Sequence, residues 1–305
     1  MSVTRYPVFA QCAPVATRDV PRLKIIDVGA NPIDGVPPYR TLLDQNRCSV
    51  IGFEPDEAAF SRLQQIKSPH ETYHQTAVGD GRQHTLHMCA AGGMTSLLKP
   101  NAELLARFHG FSHWGKVLRT VPVPTVTLDS VPGAHPADML KIDIQGFELE
   151  VFKHAPRVLD SLLLVQTEVE FLPLYHNQPL FSEVELFLRS KGFMLHRFWP
   201  LKSRTLRPML INSDIYFGLS QVFDADAIFI PAFDRWASLS AARLASLALL
   251  LHDLYGSFDL SYSLLLHIDQ RTGGRDAPAY LAALNSVPNA ARFETAIEAA
   301  PESAS

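Results

Sequence analysis

From Leu23 onward the chain alternates between short apolar runs and amphipathic stretches. LKIIDVG (23–29) is a β-branched apolar run that ends in glycine, the pattern of a buried parallel strand. PPYRTLLDQN (37–46) predicts a helix, since proline is tolerated in a first turn. SVIGFEP (49–55) predicts a second strand, and DEAAFSRLQQIK (56–67) a helix with acids first and a base last, as the macrodipole prefers. ETYHQTAVG (71–79), MLKIDI (139–144) and LLLVQTEVEF (162–171) predict three more strands, with a helix from about Phe147 to His154 between the last two. SEVELFLRSKG (182–192) is an amphipathic helix with Gly192 as its stop signal. FMLHRFW (193–199) and DADAIFI (224–230) predict a β-hairpin joined by a long polar loop.

Strands separated by helices imply a doubly wound, mostly parallel α/β sheet of seven strands, to which the final hairpin adds an antiparallel edge strand. Four further segments complete the organisation. Residues 1–20 read as an irregular leader, and residues 21–232 as the α/β domain with an insertion at about 80–137. Leucines at helical spacing (Leu239, Leu244, Leu247, Leu251) predict a C-terminal helical appendage over 233–288, and 289–305 reads as a frayed tail. Within the insertion, TLHMC (85–89) alternates like a strand, GGMTSLLKPN (92–101) reads as a loop and NAELLARFHGF (101–111) as a short helix, while TVPVPTVTLDSV (120–131) reads as extended.

With 47% hydrophobic and 19% charged residues in 305, a sizeable core is expected. The net charge of -4 and the lack of a clustered basic face argue against nucleic acid as a partner. Cys12, Cys48 and Cys89 are odd in number and widely spaced, so they suggest neither a disulfide framework nor a zinc site. That usage and the absence of a signal-peptide pattern point to a cytoplasmic protein. The most apolar stretch, Leu244 to Leu251, is far shorter than the roughly 20 residues a membrane span needs.

The strand ends carry the candidate chemistry. Asp27-Val28-Gly29-Ala30-Asn31 closes the first strand, where a ligand of an open α/β sheet sits. Gly29 lets a ligand approach the backbone. Asp27 suits the ammonium of an amino acid and would repel a pyrophosphate. The G-x-G-x-x-G of a dinucleotide site is missing, which disfavours a nicotinamide dehydrogenase. Glu54, ending the second strand, can accept hydrogen bonds from both hydroxyls of a ribose. Asp80, after the third strand, is placed to accept from an adenine amino group. Asp143 ends a central strand and is a candidate for the methionyl end of a cofactor, for a metal or for the acceptor, with Lys141 as its charge partner. Glu168 and Glu170 alternate to one side of the fifth strand and should face the cleft, a cation or solvent, because burying them unpaired is costly. His176 has a pKa usable for base catalysis, although a lone loop histidine is more often structural or solvated.

Taken in order, DVGAN, GFEPD, AVGDG, GMTSLLKPN and LKIDIQGFELEVFKHA resemble the FkbM family of methyltransferases over about residues 23–232. The resemblance implies a Rossmann-like class I methyltransferase fold and S-adenosylmethionine as cofactor. It also implies O-methylation, often of sugar or polyketide hydroxyls. On that reading Asp27, Gly29, Asn31, Gly35, Glu54, Asp80 and Asp143 hold the cofactor. Asp143, Glu168, Glu170 and His176 are the candidates for acid–base work. Asp143, Glu168 and Glu170 could alternatively form an oxygen-rich site for Mg²⁺ or Ca²⁺. Two departures stand out. Pro32-Ile33-Asp34 delays Gly35 by two residues relative to the family's DVGAN-x-G, and Gln145 stands where the family commonly has Glu. The expected partner is a small-molecule or glycan acceptor, with self-association through the C-terminal helices as a further possibility. A non-glycan or lipid-linked acceptor and a catalytically silent nucleoside-binding module are the alternatives.

Overall fold

A computed structural model of the chain describes residues 6–18, 20–31, 35–288 and 290–295. The loop at Pro32-Ile33-Asp34 and most of the tail expected at 289–305 lie outside the described residues. The described chain separates into two compact units, one spanning 22–238 and one combining residues up to 21 with those from 239 onward.

The larger unit holds ten strands: β1 (Leu23–Val28), β2 (Cys48–Phe53), β3 (Glu71–His74), β4 (Ala77–Val78), β5 (Gln83–Cys89), β6 (Val117–Val126), β7 (Met139–Ile142), β8 (Leu164–Glu170), β9 (Phe193–Arg204) and β10 (Gln221–Pro231). Seven of them form one sheet in the order β3-β2-β1-β7-β8-β10-β9. The pairs β1–β2, β2–β3, β1–β7 and β7–β8 are parallel, and β10 is antiparallel to both its neighbours. This is the expected doubly wound sheet with an antiparallel edge region. The reversed strand is β10, one place in from the edge, and β9 folds back outside it.

The winding runs outward from β1 through β2 to β3, then restarts from β1 toward β7 and β8. The switch point, where such sheets bind ligands, is therefore the gap between the carboxyl ends of β1 and β7. Apolar residues on these strands (Ile26, Val28, Leu140, Ile142, Val165) are buried in one core with Phe152, Leu159 and Leu188 from the covering helices. Two of those helices follow the sequence pattern closely: Glu57–Ile66, whose N-cap Asp56 accepts from Ala59 N, and Phe181–Ser190.

Two expectations are corrected. The third strand does not run unbroken from 71 to 79: it ends at His74, and β4 leaves to pair with β6 in a separate sheet, β4-β6-β5. The loop joining β9 and β10 is not polar, for Leu206, Met209, Leu210, Ile215, Tyr216, Phe217 and Leu219 all stand exposed on it.

The second unit contains three helices, Ala241–Tyr255, Phe258–Thr272 and Asp276–Asn285; Leu244, Leu247 and Leu251 are buried on the first, and Leu239 precedes it. The segment read as an irregular leader contributes a helical turn, Phe9–Cys12, with both end residues buried. Phe9 N donates to Asp253 Oδ1 at 2.8 Å, and Ala16 N to Asp276 Oδ1 at 3.0 Å. Burial lowers the pKa of His252 to about 4, and its ring nitrogens lie 2.7 Å from Tyr280 Oη and 2.8 Å from Pro7 O. The three cysteines are free and buried, and no described helix is long and apolar enough to cross a membrane.

Candidate active site

The carboxyl ends of β1, β2, β7 and β8 open onto one cavity of about 1060 Å³. Asp27, Gly29, Asn31, Gly35, Glu54, Asp143, Glu168 and Glu170 all line it. Asp80 and His176 do not.

At the β1–β2 end, Asp27 is buried and already engaged. Its Oδ1 lies 3.1 Å from Lys141 Nζ, and its Oδ2 accepts from Tyr39 Oη at 2.6 Å. The pairing follows from register, since Asp27 and Lys141 are direct neighbours across β1 and β7. Lys141 is therefore held by Asp27 and not, as the sequence suggested, by Asp143. Burial works against its ammonium, but Asp27 and Asp143 outweigh that and raise its pKa. Each Asp27 oxygen keeps a second lone pair for a ligand. Gly29 has φ +78°, and a Cβ there would lie 1.9 Å from the carbonyl oxygen of Asp143. Glycine is thus demanded by the packing of the β1 and β7 ends as well as by any ligand. Asn31 Oδ1 is buried without a partner, a cost in an empty protein that a bound donor would remove.

Glu54 is 4% exposed and its Oε1 accepts from Asp56 N at 2.8 Å. Burial, only partly offset by that bond, raises its pKa to about 7. An acceptor poised this way fits a ribose diol, and Leu63, Ile66 and Val78 line the same cavity with apolar surface suited to a base.

At the β7–β8 end the carboxylates gather. Glu168 pairs with Asp226 and Glu170 with Asp224 across β8 and β10, so four acids form a two-by-two grid beside Asp143. Like charges directly opposite are destabilising, and the surrounding side chains answer that repulsion. Lys202 Nζ sits 2.5 Å from Asp224, and Gln166 Nε2 donates to Asp226 at 2.5 Å. Gln145 Nε2 donates to both Asp143 Oδ1 (2.8 Å) and Glu168 Oε2 (2.5 Å). Gln145 occupies the left-handed region at φ 62°, sparse for a non-glycine residue. It is held there by Ser96 Oγ, which donates to its carbonyl at 2.7 Å, and by Tyr175 Oη, which donates to its Oε1 at 3.0 Å. Burial, then repulsion from Asp143, raises the pKa of Glu168 well above the ordinary range; burial, then Glu148 and Asp143, does the same to Glu170. Glu170 Oε1 has no partner at hydrogen-bond geometry, although the neighbouring Gln178 tempers the rise in its pKa.

Asp143, Glu148 and Glu168 offer oxygens within 4.8 Å of one another. They fit a divalent cation poorly. Glu148 Oε1 is occupied by Ile144 N at 2.8 Å and Gly146 N at 3.2 Å, where it fastens the turn that precedes its helix, and the Gln145 amide bridges the other two.

The two residues outside the cavity are corrections. Asp80 has its carboxylate taken by His84 Nε2 at 2.7 Å and Arg82 N at 3.0 Å, because β4 turns away into the small sheet. His176 is exposed; the residue before it, Tyr175, is fully buried and reaches the site. Sequence reading also passed over Asp224, Asp226 and Lys202. The alternation D-A-D in β10 opposite E-V-E in β8 was the available signal, but only the hairpin register turns it into a grid. Of the insertion's aromatic residues, Phe111 and Trp114 line the cavity; Trp199 does so from β9.

Against known proteins, the methyltransferase FkbM domain matches residues 27–195, more than half of the chain. Similar solved structures include a methyltransferase described as putative from Thermoplasma acidophilum (9% identity, 70% of each chain, TM-score 0.36). Precorrin-6y C5,15-methyltransferase from Geobacter metallireducens is another (13% identity, 73% of this chain and 87% of that one, TM-score 0.34). A third is the 16S rRNA (adenine(1408)-N(1))-methyltransferase from Catenulisporales acidiphilia (10% identity, 75% and 95%, TM-score 0.34). At such scores these likenesses carry no argument of their own. No curated protein matches the chain. The motif order, the sheet with its switch point and the domain match agree: this chain belongs to the FkbM family of methyltransferases, with the Rossmann-like fold of S-adenosylmethionine-dependent enzymes.

Proposed function

We propose that the protein transfers the methyl group of S-adenosylmethionine to a hydroxyl oxygen of a sugar or natural-product acceptor. The observation that supports this most is the carboxylate grid of Glu168, Glu170, Asp224 and Asp226 beside Asp143, in the cavity that also contains the strand ends of β1 and β2. Carboxylates accept hydrogen bonds from several hydroxyls at once, as a polyol acceptor requires. Aromatic faces such as Trp199 and Trp114 complement its C–H surfaces.

Glu54 would hold the ribose, Asp27 and Asn31 the methionyl end, and Gly29 and Gly35 the close backbone approach. The cofactor supplies a methyl carbon that is already strongly electrophilic, so the chain's task is alignment and proton removal. When the acceptor hydroxyl is methylated, its proton would pass to Asp143, Glu168 or Glu170. Glu168 and Glu170, with raised pKa values, are stronger bases in their ionised form than exposed carboxylates would be. Gln145 positions Asp143 and Glu168 through its two donated bonds.

The test is turnover with a library of hydroxylated acceptors, alongside calorimetry with S-adenosylhomocysteine. Asp143→Asn and Glu168→Gln are expected to lower turnover on the order of 100-fold while leaving cofactor affinity in place. Turnover only of amine or carbon acceptors, or variants with unchanged turnover, would defeat the proposal. A second reading, an acceptor carried on a lipid, is favoured by the exposed apolar loop between β9 and β10.

A further inference from the structure

We propose that the face carrying the loop between β9 and β10 docks on an anionic lipid bilayer, bringing the cavity mouth to the membrane surface. The inference rests on the apolar rim and local charge, and only its consequence for the acceptor rests on the functional reading above.

Nine of the sixteen exposed large hydrophobic residues of the described chain fall between Trp199 and Leu219. Isolated exposed apolar side chains are normal, whereas a contiguous set marks an interaction site. Met209 and Tyr216 are 59% exposed, Leu219 58% and Trp199 48%. Apolar and aromatic residues of mixed kind at one surface are what an interface between water and hydrocarbon takes up, with Trp and Tyr at headgroup depth.

The loop is held by backbone and side-chain hydrogen bonds and is built onto the site. Leu206 bridges Phe108, and Arg207 N donates to Arg107 O at 2.9 Å. Thr205 Oγ1 donates to Phe217 O at 2.8 Å, and Arg204 Nη1 to Tyr216 O at 3.1 Å. The Tyr216 ring stacks on Trp114, a cavity-lining residue, at 5.6 Å and 13°. The loop therefore abuts the cavity wall at Trp114, and Trp199 of the same patch lines the cavity itself.

Charge selects the partner. The protein carries -4 overall, yet residues 197–219 hold Arg197, Lys202, Arg204 and Arg207 against the single acid Asp214. The segment packed beneath adds Arg107 and Lys116 against Glu103. Lys202 is partly neutralised by Asp224, but Arg107 and Arg207 are both exposed and their backbones are hydrogen-bonded neighbours. A basic, apolar rim on an acidic protein complements anionic headgroups above acyl chains. A second copy of the chain would bring like charges together at the same patch.

The experiment is cosedimentation of the full chain with vesicles of phosphatidylcholine alone and with added phosphatidylglycerol. Two variants accompany it, Met209→Ser/Leu219→Ser and Arg207→Glu, with S-adenosylhomocysteine affinity as the check on an intact fold. We expect binding to the mixed vesicles, weaker by at least about tenfold in the apolar double variant and by several-fold in Arg207→Glu, with cofactor affinity unchanged. No binding to the anionic vesicles, or equal binding to the neutral ones, would overturn the inference. So would a concentration-dependent dimer that the double variant abolishes, since the patch would then be a contact between copies. If vesicles bind but no hydroxyl acceptor is turned over, the docking stands and the proposed chemistry falls.

Discussion

The ribose-binding role of Glu54 can be tested through its unusual titration. Hydroxyl donors bind the ionised carboxylate, and the buried group in the unliganded protein has a pKa of about 7. Cofactor binding should therefore release a proton from Glu54. At pH 6 only about a tenth of the unliganded protein has the carboxylate ionised, so affinity for S-adenosylhomocysteine is expected to rise roughly tenfold from pH 6 to pH 8 and then flatten. In the absence of ligand the sign reverses. The fold favours the protonated form, so the stability Glu54 contributes is fully present below about pH 4.5 and is lost as pH rises through 7. Glu54→Gln retains an oxygen for Asp56 N but loses the charge. A hydrogen bond to a charged group is worth about 1.5–3 kcal/mol, so affinity should fall roughly 10- to 150-fold. Its pH dependence should fall away as well. Titration calorimetry at pH 7 in two buffers of different ionisation heat should show close to half a proton released by the wild type and none from this position in the variant. An affinity within about twofold of wild type, with no pH slope to lose, would remove Glu54 from the cofactor site.

Three further outcomes are expected. Glu148, with a pKa raised to about 7 chiefly by burial, favours its protonated form in the fold, so Glu148→Gln should gain stability over wild type by about 2–3 kcal/mol between pH 5 and pH 8; urea melts showing a constant gap would contradict this. Lys141→Met leaves Asp27 a buried charge with only Tyr39 for company and should cost about 3–5 kcal/mol, much of it recovered in the double variant Asp27→Asn/Lys141→Met. Denaturation midpoints that simply add would show that the two side chains do not depend on each other. Asp80→Asn should leave S-adenosylhomocysteine affinity within about twofold of wild type, because the side chain faces His84 and Arg82; a tenfold loss would return it to the site.

Much of the site was legible because parallel strands are buried on both faces. A largely apolar run with an acid at or next to its end, as in LKIIDV or VIGFE, locates a strand's carboxyl end without any knowledge of its neighbours. What depended on neighbours was not legible. Lys141 finds Asp27 through the β1–β7 register, and nothing within LKIDIQGFE distinguishes that partner from Asp143 two residues on. Asp80 looked like a strand-end acid because the chain seemed to run straight through Gln75 and Thr76; the departure of β4 to a second sheet is decided by pairing with β6, whose partner residues Thr125 and Val126 come much later in the chain. Tyr175 and His176 are adjacent, and only packing reveals which of them turns inward. The buried turn at Phe9–Cys12 was missed because four residues carry too little periodicity to register.

That turn has a consequence for synthesis. Phe9 and its partner Asp253 are 244 residues apart, so on a ribosome elongating at roughly 5–20 residues per second the early segment waits about 12–50 s for the helix that covers it. The α/β unit emerges entirely within that interval and has its full set of strands before the helical unit can close. During the wait Phe9 and Cys12 are unprotected apolar side chains on a nascent chain, a natural target for a holding chaperone. A stall or premature stop anywhere between residues 239 and 253 would release a complete α/β unit with an orphaned amino-terminal segment, and such a product should be recognised and degraded by its beginning as much as by its end.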